Sequence, residues 1–166
     1  MNNKPILIEA NNCDTNLLNN DKKLLGFLNE FHLVTDSLLL AKPSLVNRSG
    51  TEAEPSYSGF IATSDYHLSF STYFGHRKIV LFILSDHDSI MNTNNIVKHI
   101  AYSFSIDLKS IKLRPVDSNT EEFIECEESK CIRKASRIWG GRLVCKDHYE
   151  EYQNKQVDID YDEHNY

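Results

Sequence analysis

Three cysteines and one histidine near the C-terminus have the spacing of a metal site. Cys126, Cys131, Cys145 and His148 form a C-x4-C-x13-C-x2-H pattern. Thiolates and imidazole suit the tetrahedral shell of zinc, and four protein ligands leave no open position. In a chain expected to be intracellular, such a group favours a metal over disulfides. The sequence therefore predicts a structural zinc site. The alternative is a set of unconnected buried cysteines, as Cys13 is expected to be on its own.

A second chemically rich stretch is SDYHLSFSTY at residues 64–73. Within it, residues 66–72 carry a phenol, an imidazole and three hydroxyls in close succession: Tyr66, His67, Ser69, Ser71 and Thr72. Alternation along a strand puts Leu68 and Phe70 on one face and the imidazole with two of the serines on the other. This polar face is either a reacting surface or the solvated side of an antiparallel strand, and both interpretations stay open at this point.

Hydrophobic periodicity predicts the elements that must position these residues. Strands are expected at 4–10, 35–42, 57–64, 66–72, 77–85 and 107–116, and helices at 20–31 and 89–104. Segment 43–56 is rich in Pro, Ser, Gly and charge and is expected to be a surface loop. The triplet DHD at 86–88 offers either acid–base groups or a cap for the following helix. This order of elements, with a run of strands between the two helices, predicts an α+β fold, a two-layer sandwich with a mainly antiparallel sheet.

The C-terminal segment has its own predicted design. Gly140-Gly141 is a strong hairpin signal between two short strands, and a helix-like run follows. With the four ligands this predicts a small zinc-ribbon or treble-clef-like module, which needs a metal because its own core is small. The expected division is a domain at 1–118, the module at 119–155 and a solvated or disordered acidic tail at 156–166.

Composition limits the classes of partner. The 166 residues carry a net charge of −6, so no general affinity for nucleic acid or anionic lipid is expected. The N-terminal residues lack the apolar core of a secretion signal, and no apolar run approaches the length of a membrane span. The expected location is the cytoplasm.

The segment YSGFIATSDYHLSFST resembles the bacterial-type S-adenosylmethionine decarboxylases, whose pattern at the self-cleavage site is roughly S-G-x-x-x-x-x-E-S-H-L-S-I-H-T. The opening ILIEANNCD is similar to the strand and Gly-Cys-Asp of that family, and the order of predicted elements agrees over residues 4–116. The resemblance implies a pocket for S-adenosylmethionine or a derivative, and a homodimer in which sheets and active sites meet.

The chain departs from that family at the positions that do its chemistry. Family members convert a serine to a pyruvoyl group that acts as an electron sink. Aligned without gaps, residues 65–67 replace Glu-Ser-His with Asp-Tyr-His, and Ser71 replaces the histidine that assists processing. The catalytic cysteine falls near Ser85 or Asp86. Since tyrosine cannot be converted to pyruvate, no pyruvoyl is expected. Using Ser64 as the precursor needs a two-residue insertion and leaves the histidine missing.

A sulfonium ligand can be cleaved without a cofactor, because its own carboxylate can displace the sulfonium to give a lactone while the protein supplies positioning and desolvation. The leading hypothesis is therefore a lyase acting on S-adenosylmethionine or a derivative such as a nucleotide conjugate, a chemistry known among phages and antiviral defence systems. The alternatives are a non-catalytic binding or regulatory protein and a pyruvoyl-dependent decarboxylase with unusual processing. The residues assigned to catalysis are Tyr66, His67 and Ser58, and those assigned to substrate binding are Glu9, Ser69, Ser71, Tyr73 and Phe74.

Overall fold

The computed structural model describes residues 5–48, 56–85, 93–116 and 124–163, with side chains described to residue 156. The chain divides into two compact units, Met1–Glu122 and Phe123–Tyr166. The predicted triplet at 86–88 lies outside the described residues, as do half of the predicted loop at 43–56 and the start of the predicted helix at 89–104.

The N-terminal unit is a sheet with helices packed on one face. Its described elements are β1 (Ile6–Ala10), α1 (Thr15–Leu18), α2 (Asp21–Val34), β2 (Ser44–Asn47), β3 (Tyr57–Ala62), β4 (Tyr66–Tyr73), β5 (Lys78–Ser85), α3 (Thr93–Phe104), a 3-10 turn (Leu108–Ser110) and β6 (Ile111–Pro115). Every strand pair is antiparallel and the order is β2-β3-β4-β5-β1-β6. The predicted α+β class is confirmed. None of the described helices is both long and apolar enough to cross a lipid bilayer.

The inner face of this sheet, which packs against α2 and α3, is formed by alternate residues of each strand. On β4 the residues Tyr66, Leu68, Phe70 and Thr72 are buried while their neighbours are half-buried. Phe27 of α2 meets Phe70 edge-on with ring centroids 6.0 Å apart, and it meets Phe104 of α3 at 5.1 Å. The predicted alternation of this strand is thus confirmed, and it divides the apolar core from a polar outer face.

The strand predicted at 35–42 is wrong. Helix α2 continues to Val34, and Leu39 makes only an isolated bridge to Thr63. Leu38 and Leu40 are 75% and 64% exposed, so the leucine run does not enter the core. The edge strand β2 forms instead at 44–47, inside the segment predicted to be a loop. Edge strands can be short and polar because only one side of their backbone must pair.

Two smaller predictions also change. Helix α1 was not expected; it begins at the cap Asp14, whose carboxylate accepts a hydrogen bond from the Asn16 amide. The strand predicted at 107–116 begins with the 3-10 turn and becomes β6 only at Ile111. The N-cap of α2 is Asn20, whose side chain accepts from the Lys23 amide.

The C-terminal unit contains a hairpin and a helix: β7 (Arg137–Trp139), β8 (Arg142–Val144) and α4 (Lys146–Glu163). Gly140 and Gly141 both have positive φ, 55° and 77°, as a type I′ turn requires, so the predicted hairpin is confirmed. Helix α4 runs to Glu163, so much of the tail predicted to be solvated or disordered has helical backbone instead. Pairs such as Lys155–Glu151 at i,i+4 spacing support this polar helix.

Gly59 allows the close contact between β3 and the helices. A Cβ atom at this position would lie 2.4 Å from a ring carbon of Phe70 and 3.0 Å from a methyl of Leu28. Because an aromatic ring held between strand and helix cannot move cheaply, we expect Gly59→Ala to lower the free energy of unfolding by about 1–3 kcal/mol. Urea unfolding measures the change. Gly26→Ala is the matched control, since its Cβ meets nothing within 4 Å; equal effects of the two variants would contradict the prediction.

His99 makes stability depend on pH. Burial lowers the pKa of its imidazole below 6.5, against the raising effects of the Phe27 carbonyl, 3.0 Å from Nε2, and of the Glu30 carboxylate. As the pH falls through about 6.5, the imidazole therefore binds a proton in the unfolded chain before it does so in the folded state. We expect the free energy of unfolding to fall with acidity below that pH, by at most ~1.4 kcal/mol per pH unit from this group. Chemical unfolding at pH 7 and pH 5 measures this fall in the free energy of unfolding. The fall should be smaller in His99→Gln than in the natural chain, and equal falls would contradict the prediction.

Candidate functional site

The structure brings the four predicted metal ligands together. The ligand atoms of Cys126, Cys131, Cys145 and His148 all lie within 4.8 Å of one another. The Nδ1 atom of His148 is 3.3 Å from Sγ of Cys126 and 3.4 Å from Sγ of Cys145, and the sulfurs of Cys131 and Cys145 are 4.0 Å apart. The first two cysteines precede the hairpin, and the last two ligands lie at the start of α4, as in a treble-clef-like arrangement.

These distances fit a tetrahedral metal. With Zn–S near 2.3 Å and Zn–N near 2.05 Å, ligand atoms of a tetrahedral shell stand about 3.8 Å apart for two sulfurs and about 3.5 Å apart for sulfur and nitrogen. The donor set of three thiols and one imidazole also suits zinc, and Nδ1 is the nitrogen that faces the thiols. The group can therefore hold a metal such as zinc, with every tetrahedral position supplied by the protein.

The electrostatics of the group favour a bound cation. Burial raises the pKa of Cys145, but the His148 backbone amide and the thiols of Cys131 and Cys126 lower it by hydrogen bonding, to about 7. Similarly, burial opposes ionisation of Cys126, but backbone hydrogen bonds from Glu128 and Cys145 leave its pKa lowered. The pKa of His148 is raised, and its hydrogen bond with Cys126 makes the largest contribution to this rise. A divalent cation would balance the negative charge that collects on these sulfurs.

The cluster of buried side chains around the four ligands is small. Cys126, Val144 and Cys145 are buried together, and Trp139 with two tyrosines packs against them. Trp139 meets Tyr149 edge-on at 5.4 Å and lies parallel to Tyr152 at 6.3 Å. The metal ligands are thus themselves a large part of the core of this unit.

The second candidate site is the outer face of the six-stranded sheet, opposite α2 and α3. Ser58 and Ser71 are cross-strand partners whose hydroxyl oxygens lie 3.2 Å apart. Across β5, Ser71 is opposite Val80, and Val80 is opposite Glu9 on β1. This places Glu9 two strands from Ser71, about 10 Å away. Four of the predicted residues, Ser58, Ser69, Ser71 and Glu9, are therefore brought to one face.

An aromatic row lies beside this polar row. Phe60 on β3 is opposite Ser69, and Ser69 is opposite Phe82 on β5; the two rings are 45% and 38% exposed. His67 is on the same face, with its ring parallel to that of Phe60 at 6.2 Å. On the far side of the row, Arg114 of β6 lies 3.7 Å from the Glu9 carboxylate. The face thus combines hydroxyls, exposed rings and the ion pair of Arg114 with Glu9.

Tyr66 is not brought to this face. It is 4% exposed and lies on the inner face, where its cross-strand partner is the buried Ser85. The turn before it is closed, since the Thr63 amide donates to the Tyr66 carbonyl at 2.8 Å and the Tyr66 amide donates to Thr63 Oγ1 at 3.0 Å. Tyr66, which aligns with the serine of the decarboxylases, is therefore a neighbour of Ser85, one of the two residues near which their cysteine falls. Both face away from His67 and Ser58.

Tyr73 and Phe74 lie at the other end of β4. Tyr73 is on the outer face, with Nζ of Lys78 5.2 Å from its ring centroid. Six residues of strand separate it from His67, about 20 Å, so a small ligand cannot touch both. Phe74 is 41% exposed in the turn that leads to β5.

Sequence reasoning missed Phe60, Phe82 and Arg114. The alternation of β3 could have placed Phe60 on the outer face. Phe82 lies in the unbroken apolar run KIVLFILS, which hides the alternation, and Arg114 depends on β6 pairing with β1, a pairing between distant segments.

The chain matches known proteins in structure but not in sequence. No protein-family model matches the chain, and no curated protein matches it in sequence. Among solved structures, the adenosylmethionine decarboxylase from Aquifex aeolicus VF5 matches with a TM-score of 0.52 and 13% identity, over 76% of this chain and 94% of that chain. The chain therefore has an adenosylmethionine-decarboxylase-like fold, and it carries a Cys3His group that can hold a metal such as zinc.

Proposed function

We propose that the protein binds S-adenosylmethionine or a derivative on the outer face of its sheet and cleaves it at the sulfonium without a pyruvoyl group. The observation that carries the proposal is the row of hydroxyls, exposed rings and paired charges on that face, in a fold similar to that of an adenosylmethionine decarboxylase. Tyr66 receives no catalytic role in this proposal because its side chain is buried on the inner face.

The chemistry of the face matches the parts of such a ligand. Glu9 and Arg114 can take the ammonium and the carboxylate of the amino-acid end, exchanging their mutual ion pair for pairs with the ligand. The exposed rings of Phe60 and Phe82 can stack on adenine and lie against the sulfonium. Ser58, Ser69 and Ser71 remain to donate and accept hydrogen bonds at the ribose.

The proposed reaction is an internal displacement. The ligand carboxylate attacks the γ-carbon, a C–O bond forms, the C–S bond breaks, and its electron pair stays on sulfur, giving a lactone and a neutral thioether. The carboxylate and the sulfonium lose their charges together, so water, which stabilises charged groups, slows the step. Two apolar side chains of β5, Val80 opposite Ser71 and Leu84 opposite His67, favour it by desolvation.

A second copy of the chain would supply the water exclusion that the reaction needs. The outer face exposes Phe60, Phe82 and Val46, the last 56% exposed, and these side chains are suited to burial against another sheet. We therefore propose a homodimer in which two outer faces meet and enclose the ligand. Light scattering on a sizing column should give twice the mass of 19.2 kDa, and Phe60→Glu should give a monomer.

Non-catalytic binding is the second candidate, and one observation favours it. The hydroxyls of Ser58 and Ser71 are bonded to each other and Glu9 is paired with Arg114, so neither of these two pairs sets a nucleophile beside a general base. A protein that held the ligand to regulate a partner would need no such pair.

The test is incubation of the purified protein with S-adenosylmethionine and with nucleotide conjugates of it, followed by chromatography. Appearance of lactone and thioether supports the lyase. Binding by calorimetry without products supports the regulatory alternative, and neither binding nor products contradicts both. Intact mass separates the third possibility, since pyruvoyl formation would divide the 19.2 kDa chain and leave a fragment ending before residue 66.

A further inference from the structure

A groove lies between α2 and α3, on the helix layer of the N-terminal unit and thus on the other side of the sheet from the outer face. It encloses about 480 Å³, a volume typical of small-molecule sites, and its wall on α2 includes Lys22, Lys23, Gly26 and Glu30. Tyr102 and Ser103 form the wall on α3, and Phe27 lies at its base.

Gly26 is what opens this groove. It lies in the middle of α2, where glycine costs about 1 kcal/mol relative to alanine. A Cβ atom here would meet nothing within 4 Å, and the residue has no positive φ, so neither packing nor backbone conformation requires glycine. A larger side chain would occupy the space between the two helices.

The two ends of the groove have opposite charge. Lys22 and Lys23 lie in the first turn of α2, and neither ammonium forms an ion pair with a described residue. Their backbone amides are already bonded to the side chains of Asp21 and Asn20, so the positive charge at this end comes from the two ammonium groups. Glu30 lies two turns further along, about 12 Å away, with its carboxylate 65% exposed. A ligand that fills the groove would therefore place an anion at one end and a hydrogen-bond donor at the other.

An aromatic ring lies between these ends. Tyr102 is 63% exposed, and its ring and hydroxyl together suit a planar polar group. We propose that the groove binds a nucleoside monophosphate with an amino-bearing base. The phosphate lies on Lys22 and Lys23, the base stacks on Tyr102, and the exocyclic amine donates to Glu30. This site is separate from the proposed lyase site and does not depend on it.

The test is calorimetric titration of the full-length protein with AMP, adenosine and inorganic phosphate. We expect AMP to bind at least tenfold more tightly than either part alone. Gly26→Leu should reduce AMP affinity at least tenfold while raising the melting temperature, because leucine fills the groove and is a better helix former. Asn29→Leu, an exposed position of the same helix outside the groove, is the matched control and should bind AMP like the natural chain.

Three outcomes would overturn the proposal. They are no AMP binding by the natural chain, phosphate binding as tight as AMP binding, and unchanged AMP affinity in Gly26→Leu. If Gly26→Leu does not fold, the double variant Lys22→Gln, Lys23→Gln must lower AMP affinity in its place. Turnover or binding of S-adenosylmethionine should be equal in Gly26→Leu and the natural chain, which separates this site from the outer face.

Discussion

We expect the Cys3His group to hold one metal ion, and its removal to unfold the C-terminal unit while the N-terminal unit stays folded. We expect Cys145→Ser, or treatment of the natural protein with a strong zinc chelator, to abolish the fixed packing of Trp139 against Tyr149 and Tyr152. Metal binding contributes about 10–16 kcal/mol to the folded state of small zinc modules, far more than the few buried apolar side chains of this unit can contribute. The unit has few other means of stability, because Cys126 and Cys145 are themselves in its core.

Trp139 makes this prediction simple to measure, because it is the single tryptophan of the chain. Its emission should shift to the red on chelation and return on addition of zinc, while metal analysis gives one ion per chain. Cys13→Ala is the matched control, since Cys13 is buried in the N-terminal unit; it should leave both zinc content and emission unchanged. A chain that contains no metal, or whose emission ignores the chelator, would contradict the prediction.

The metal site was predictable because its information is local. The ligand spacing and the Gly140-Gly141 turn lie within one short segment, and the hairpin between them needs no distant partner. The helix-borne position of His148 also follows from the sequence after the turn. What spacing could not show is which nitrogen faces the sulfurs, and the structure identifies Nδ1.

The sheet was harder to predict because its order depends on distant segments. β1 lies between β5 and β6, and this brings Glu9 into the row of Ser71 and beside Arg114. The prediction of a strand at 35–42 failed for a related reason. Hydrophobicity shows that Leu38 and Leu40 could be buried, but it does not show whether a core lies opposite them. The alternation that placed Ser69 and Ser71 correctly also places Tyr66 with the buried set, so the sequence already contained evidence against grouping it with His67.

Replacement of Glu9 should have the largest effect on the proposed lyase site. We expect Glu9→Gln to lower the rate of S-adenosylmethionine cleavage, or the affinity if the protein only binds, by about 100-fold. The reason is that the ligand's ammonium would lose its charged partner, a loss of about 2–3 kcal/mol. The carboxamide keeps the shape of the side chain and can still accept a hydrogen bond, so the fold should be unaffected.

Two controls distinguish this effect from a general disturbance of the sheet. Glu30→Gln makes the same chemical change on the helix layer and should leave cleavage unchanged. Tyr66→Phe removes a hydroxyl from the inner face at the position aligned with the decarboxylase serine, and it should change the rate less than twofold because the ring stays buried with Leu68. Loss of turnover in Tyr66→Phe with full turnover in Glu9→Gln would move the chemistry to the inner end of the sheet, beside Ser85, and would contradict the assignment of the outer face.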